Sequence, residues 1–231
     1  MLNAALVVAL FCQDDQAVKD ALERFKQGMK ATSAAGQAAA IGELAKTPHE
    51  KTFHKIAPFL MEGSKELRIA AAEGLGNFTD YKKLATPALM AALTAGPNQK
   101  DWDVQIAIYK GLGKLADPTS LDTVHKGFRQ EQVKPAKAAI DCAGAMRQKE
   151  SMDVLLTLMT DCQKWLKNKQ NGGYKDEKGQ NGDDNSIKTR VEEIQKEVIK
   201  AIQSITKEKW VTVQEWELWW SKHKANFEVP K

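Results

Sequence analysis

The segment HEKTFH, residues 49–54, carries the residue types of a zinc-protease helix. Two imidazoles can share one metal from a helix only when they lie on one face, which needs histidines four apart. His49 and His54 are five apart, about 140° around a helix of 3.6 residues per turn. That spacing assigns them to polar surface or helix positions. His125 and His223 stand outside any cluster of ligand types and read as ordinary surface histidines. A second candidate, NGDDNSIKTRVE at 181–192, sets Asn181, Asp183, Asn185 and Glu192 at positions one, three, five and twelve of a calcium loop. The sharp turn of such a loop demands Gly where Ser186 stands, and an apolar residue belongs where Lys188 stands. Capping of the following helix by Asn185 or Ser186 accounts for the same residues.

The pairs Gly74-Leu75-Gly76 and Gly111-Leu112-Gly113 suggest phosphate cradling, but neither follows a strand pattern or carries the Lys-Ser/Thr of a nucleotide loop. No Ser-His-Asp or Cys-His arrangement is local, which leaves a spatial one open. No metal or cofactor is expected. Cys142 and Cys162 flank a turn near Gln148 and Lys149 at unequal distances, so they differ in height by roughly 10 Å at ~1.5 Å per residue. They read as buried, unpaired thiols.

The densest chemical signal is WVTVQEWELWW, residues 210–220, with four of the six tryptophans. Trp216, Trp219 and Trp220 stand at i, i+3 and i+4, and Val213 and His223 extend the same helical stripe, while Glu215, Glu217, Ser221 and Lys222 are polar. One stripe implies one buried face. These three residues are the candidates for capping or binding, with sealing of the chain's C-terminal end against the 187–205 helix the favoured role and glycan or partner stacking the alternative. A membrane role would call for a basic polar face, which this helix lacks.

The elements that must position these residues are helical. The 231 residues are 42% hydrophobic and 7% aromatic, with 34 basic and 30 acidic residues interleaved to a net charge of +4. That pattern makes a solvated surface and not the basic stripe of a nucleic-acid binder. The run Leu2 to Cys12 ends abruptly at Gln13, Asp14 and Asp15 and is too short to span a bilayer. It reads as an export signal over 1–12, with a buried first helix as the alternative. Phe11 before Cys12 does not fit a lipoprotein cleavage box. Residues 14–32 then form an amphipathic helix with Val18, Leu22, Phe25 and Met29 on one face.

Self-comparison organises the middle of the chain. IGELAKTPHEKTF (41–53), AEGLGNFTDYKKL (72–84), YKGLGKLADPTSL (109–121) and IDCAGAMRQKESM (140–152) superpose at offsets of 31, 37 and 31 residues, the longer offset containing the insertion TAGPNQKDWD at 94–103. Each unit reads as two helices with Ala and Gly at the seam, where backbones approach closely. Asp117 is a candidate N-cap, and Pro118 takes a first helical position. An exposed polar loop follows at 167–185. A further amphipathic helix spans 186–206, with Ile187, Val191, Ile194, Val198, Ile202 and Ile205 in one stripe, and the Trp-rich cap occupies 210–231.

LRIAAAEGLGNFTD and GLGKLADPTSLDTVHKGF resemble HEAT repeats, specifically the short bacterial HEAT-like type also seen in phycobilin lyases. The resemblance covers residues 33–166 and weakens in the first and fourth units, where Gln148-Lys149 replaces Asp-Pro. Gln105 and Ala136 replace the basic residue held by Arg68. It implies an all-α solenoid of about four helical hairpins, flanked by an N-terminal helix and the Trp-rich C-terminal helix. Its commonest implied role is a non-catalytic scaffold whose second helices hold another protein. An envelope setting follows if the N-terminal apolar run is an export signal, and a cytoplasmic one otherwise. DNA-alkylation glycosylases and bilin lyases share such repeats and are the enzymatic alternatives, disfavoured by the interleaved charges. No nucleic acid or stable membrane span is expected, and the sequence leaves the partner and the oligomeric state open.

Overall fold

The computed structural model describes residues 4–170 and 184–230, with side chains over 15–167 and 187–230. The fold is all-α, and the described residues contain helices without strands. Two compact units divide it, Met1–Asp117 and Pro118–Lys231. No helix among the described residues is long and apolar enough to cross a membrane.

The first unit holds α1 (Ala4–Gly28), α2 (Ala34–Leu44), α3 (Glu50–Ile56), α4 (Lys65–Leu75), α5 (Lys82–Thr94) and α6 (Trp102–Leu115). Helix α1 lies on α2, α2 on α4 and α4 on α6, a ladder of first helices backed by α3 and α5. Small residues set its spacing. A Cβ on Gly74 would meet Ala45 at 2.8 Å, one on Gly76 would meet the Gly111 Cα at 2.8 Å, and one on Gly111 would meet the Ala72 carbonyl at 2.7 Å. Between these contacts Ile41, Leu44, Leu75, Leu89, Ile108 and Leu112 are fully or almost fully buried, each contributing ~1.5–3 kcal/mol of apolar burial.

Caps fix where these helices begin. Ser33 accepts from the Gly36 N–H at 3.1 Å at the start of α2. His49 does the same for α3, its Nδ1 accepting from the Lys51 N–H at 3.0 Å while the Thr52 hydroxyl oxygen accepts from the His49 N–H. His54 is exposed on the same short helix, 3.8 Å from Glu50. The insertion at 94–103 is tied into the core. Asn98 is fully buried and donates to the carbonyls of Leu60 and Ala92, both at 2.9 Å. Gln105 donates to the carbonyls of Asn98 and Gln99. It thereby holds the chain entering α6 as Arg68 holds the chain entering α4 through the Gly63 carbonyl. The Arg68 guanidinium also pairs with Asp101 at 2.9 Å.

The second unit holds α7 (Leu121–Gly127), α8 (Val133–Met146), α9 (Ser151–Gln170), α10 (Asp184–Thr206) and α11 (Val213–His223). Pro118 opens a short 3-10 turn ahead of α7 rather than the helix itself. Helix α10 lies along α8 and α9, and α11 lies against α9. A Cβ on Gly144 would meet the Ala201 Cα at 2.9 Å, so a small-residue contact recurs here.

Several sequence expectations change. The expected loop at 167–185 is shorter, because α9 continues through the helix-favouring Lys167 to Gln170 and α10 already begins at Asp184. Residues 171–183 of it lie outside the described residues, as do Asn181 and Asp183 of the calcium-like segment. Asn185 and Ser186 fall within the first turn of α10, which begins at Asp184. Helix α1 runs from Ala4 to Gly28, with Val18 and Ala21 buried, and a helix there agrees with the export signal as well as with the buried first helix. Residues 1–3 lie outside the described residues. Helices α6 and α8 end on left-handed residues other than glycine, Ala116 at φ 47° and Arg147 at φ 51°.

Candidate functional site

The outer face of α9 presents Asp153, Val154, Thr157, Leu158 and Asp161, spaced one, three, one and three along the helix, so they form a single stripe. A cavity of about 250 Å³ lies on one side, walled by His125, Phe128 and Arg129 together with Val154, Thr157 and Leu158. A second, of about 320 Å³, lies on the other, lined by Cys162 and by Ile187, Arg190 and Val191 of α10. Phe128, Arg129 and Leu158 line both. The stripe of α10 supplies the second wall because its burial is graded: Ile194, Val198, Ile202 and Ile205 are buried, whereas Ile187 and Val191 are only half-buried.

Most polar groups around the stripe are already engaged. Arg129 pairs with Asp161 at 3.2 Å. Asp153 accepts from Lys224 Nζ and from Trp220 Nε1, each at 2.8 Å, and the lysine bond above all holds its carboxyl below the usual range. Burial pushes the Cys162 thiol up to about 11 against the opposing charge of Arg190, and it pushes the Cys142 thiol up as well. Both thiols are unpaired. Neither is a ready nucleophile.

His125 departs from the expected surface histidine. Its Nε2 is 2.9 Å from the Ser151 hydroxyl, and burial lowers its pKa, partly offset by Asp122. The first turn of α9 returns to α7 and brings the two together from 26 residues apart. A serine–histidine pair is the start of a nucleophilic site. Here Ser151 is fully buried, so no substrate carbonyl can reach its oxygen, and the pair ties α7 to α9 instead. Among the described residues no group of three His, Cys, Asp or Glu side chains could hold a metal ion.

The tryptophans occupy an adjoining region. Thr212 and Glu215 form a reciprocal cap that starts α11. Trp216 is fully buried and Trp220 nearly so, while Trp219 is half-buried. Trp219 stacks on His223 at 4.7 Å between ring centroids and meets Phe227 edge-on at 5.6 Å, and Phe227 meets Trp220 at 5.4 Å. The expected seal against the 187–205 helix is corrected in one respect. The helix that α11 lies against is α9, where the indole N–H of Trp220 donates to Asp153. His223 covers one face of Trp219 and is otherwise exposed. No pattern along the sequence links Asp153 to Trp220 or Phe128 to Leu158, since each pair joins distant parts of the chain.

A family model described as the PBS lyase HEAT-like repeat matches residues 67–95, which are α4 and α5 and the turn between them. Over those residues the chain is similar to a HEAT-like repeat of the phycobilin-lyase type. No curated protein matches it.

Proposed function

We propose that the protein is a non-catalytic scaffold of the cell envelope that holds another protein on the outer face of α9. One observation carries this reading: two adjoining cavities share the apolar side chains of Phe128 and Leu158, while the serine–histidine pair beside them is consumed in the α7–α9 joint. Concave, mostly apolar surface with satisfied polar edges suits a protein partner. The tryptophans serve the seating of α11. Trp216 and Trp220 are buried and Trp219 is stacked, so few ring faces are left for a sugar.

Affinity capture from extract of the source organism tests the reading, with the wild-type chain and Leu158→Asp as parallel baits. The variant should lose the captured partner while its melting curve stays close to wild type, since Leu158 is half-buried. Identical capture by both baits would overturn it. The envelope setting is tested separately by intact mass of the native protein, which should lack the residues up to about Gln13; a chain retaining Leu2 would remove that setting.

A further inference from the structure

The charges around the α9 stripe are unequal. Asp161 is the carboxylate on the wall of the larger cavity, which two guanidinium groups, Arg129 and Arg190, also line. Arg129 uses it. The Arg190 Nη2 donates at 2.7 Å to a backbone carbonyl, that of Gln130, which carries no net charge to neutralise it. No described carboxylate lies within ion-pair distance of Arg190; the neighbouring Glu193 is engaged by Lys137 at 3.0 Å, and Glu192 by Lys188 at 3.9 Å. Glu131, next to Gln130, is exposed and forms no ion pair among the described residues. At the cavity floor, burial and then the Asp161 carboxylate raise the Cys162 thiol, and the charge of Arg190 opposes them. Across Leu158, the carboxylate of the smaller cavity, Asp153, is held by Lys224 and Trp220. Among the described residues, the stripe therefore offers an apolar floor of Phe128, Val154, Leu158 and Val191 beside a half-buried guanidinium that forms no ion pair.

We propose that the occupant of this groove is an acidic peptide segment of a protein partner: an apolar side chain seats over Leu158 and a carboxylate within a residue or two of it meets Arg190. This rests on the scaffold reading above and names the partner's chemistry. A carboxylate matches the planar donor fork of arginine with two parallel bonds, which a lysine or a neutral amide on the partner cannot supply. Charge of this kind selects among partners and sets the rate of encounter more than it sets raw affinity.

Two fluorescent twelve-residue peptides test it on the full chain, one with leucine at every fourth position and glutamate between, the other with lysine in place of glutamate. The glutamate peptide should bind at least about tenfold more tightly to the wild type, and that preference should shrink as ionic strength rises from about 0.05 to 0.3 M. Arg190→Glu should reverse the preference, and this gain of the lysine peptide separates lost charge complementarity from lost folding. Equal or tighter binding of the lysine peptide to the wild type, or a preference unmoved by Arg190→Glu, would overturn the proposal. So would failure of both peptides to bind, and in that event the Leu158→Asp capture still decides the scaffold reading by itself.

Discussion

The α4–α6 junction and the α9–α11 junction solve the same packing problem with opposite side chains. At the first, backbones touch: the Gly76 and Gly111 positions have no room for a methyl group. Cross-links at the rim include Arg68 with Asp101 and Lys65 with Asp103. At the second, indole rings fill the gap between helices, and polar anchors such as Trp220 to Asp153 and Thr160 to Glu217 fix the position. Close backbone packing needs a match along the whole seam, so it recurs with the repeat. Ring packing needs only one or two large residues, so it can occur once, where the pattern stops.

The largest effect should come from Trp216→Ala, which removes the fully buried ring of α11 and should destabilise the protein by ~3–5 kcal/mol, read from denaturant unfolding. Trp219→Ala, at a half-buried ring, should cost clearly less; equal losses would mean that the aromatic cluster acts as a whole and not through its buried member. At the first junction, Gly111→Ala should cost ~1–3 kcal/mol, because the added carbon meets the Ala72 carbonyl at 2.7 Å and neither backbone can yield cheaply. Gly42→Ala is the internal control. A Cβ there meets nothing within 4 Å in the middle of α2, so the substitution should stabilise by up to ~1 kcal/mol through helix propensity alone. Destabilisation at both glycines would break the claim that spacing, and not glycine as such, is what the seam requires.

The smallest effect concerns pH. The folded-state pKa of His125 is lowered by burial, so the unfolded chain binds the extra proton first. Its contribution to stability is complete above the unfolded value of about 6.5 and is lost as pH falls from there through the folded value. Melting temperatures of wild type and His125→Gln should therefore converge as the pH is taken from about 7.5 to 5. A constant difference would mean that the imidazole acts only by shape.

How much of this could be read beforehand follows from the same contrast. The repeats were legible because Gly74, Gly76, Gly111 and Gly113 stand at fixed places in superposable segments, and a seam of small residues leaves few alternatives. The burial of Trp216 followed from spacing on one helix, but the helix it would face did not, since a stripe gives a direction and no partner. The insertion at 94–103 looked like an excursion because Asn98 acts through carbonyls of Leu60 and Ala92, which every sequence possesses. The α9 groove was invisible for a related reason. Its walls come from α7, α9 and α10, and Leu158 and Val154 along α9 are indistinguishable in sequence from core residues such as Leu155 and Met159.

Ala116 and Arg147, the left-handed residues that end α6 and α8, are 31 positions apart, the same interval at which the third and fourth repeats superpose. The agreement holds although Asp117-Pro118 after the first has become Gln148-Lys149 after the second. Conformation has thus outlasted composition: the two copies keep a common backbone register at a place where their letters have diverged. Each also bears a strain of ~1 kcal/mol that glycine would relieve. Anyone building longer or shorter arrays from this chain would cut and splice at that residue, and would write glycine there.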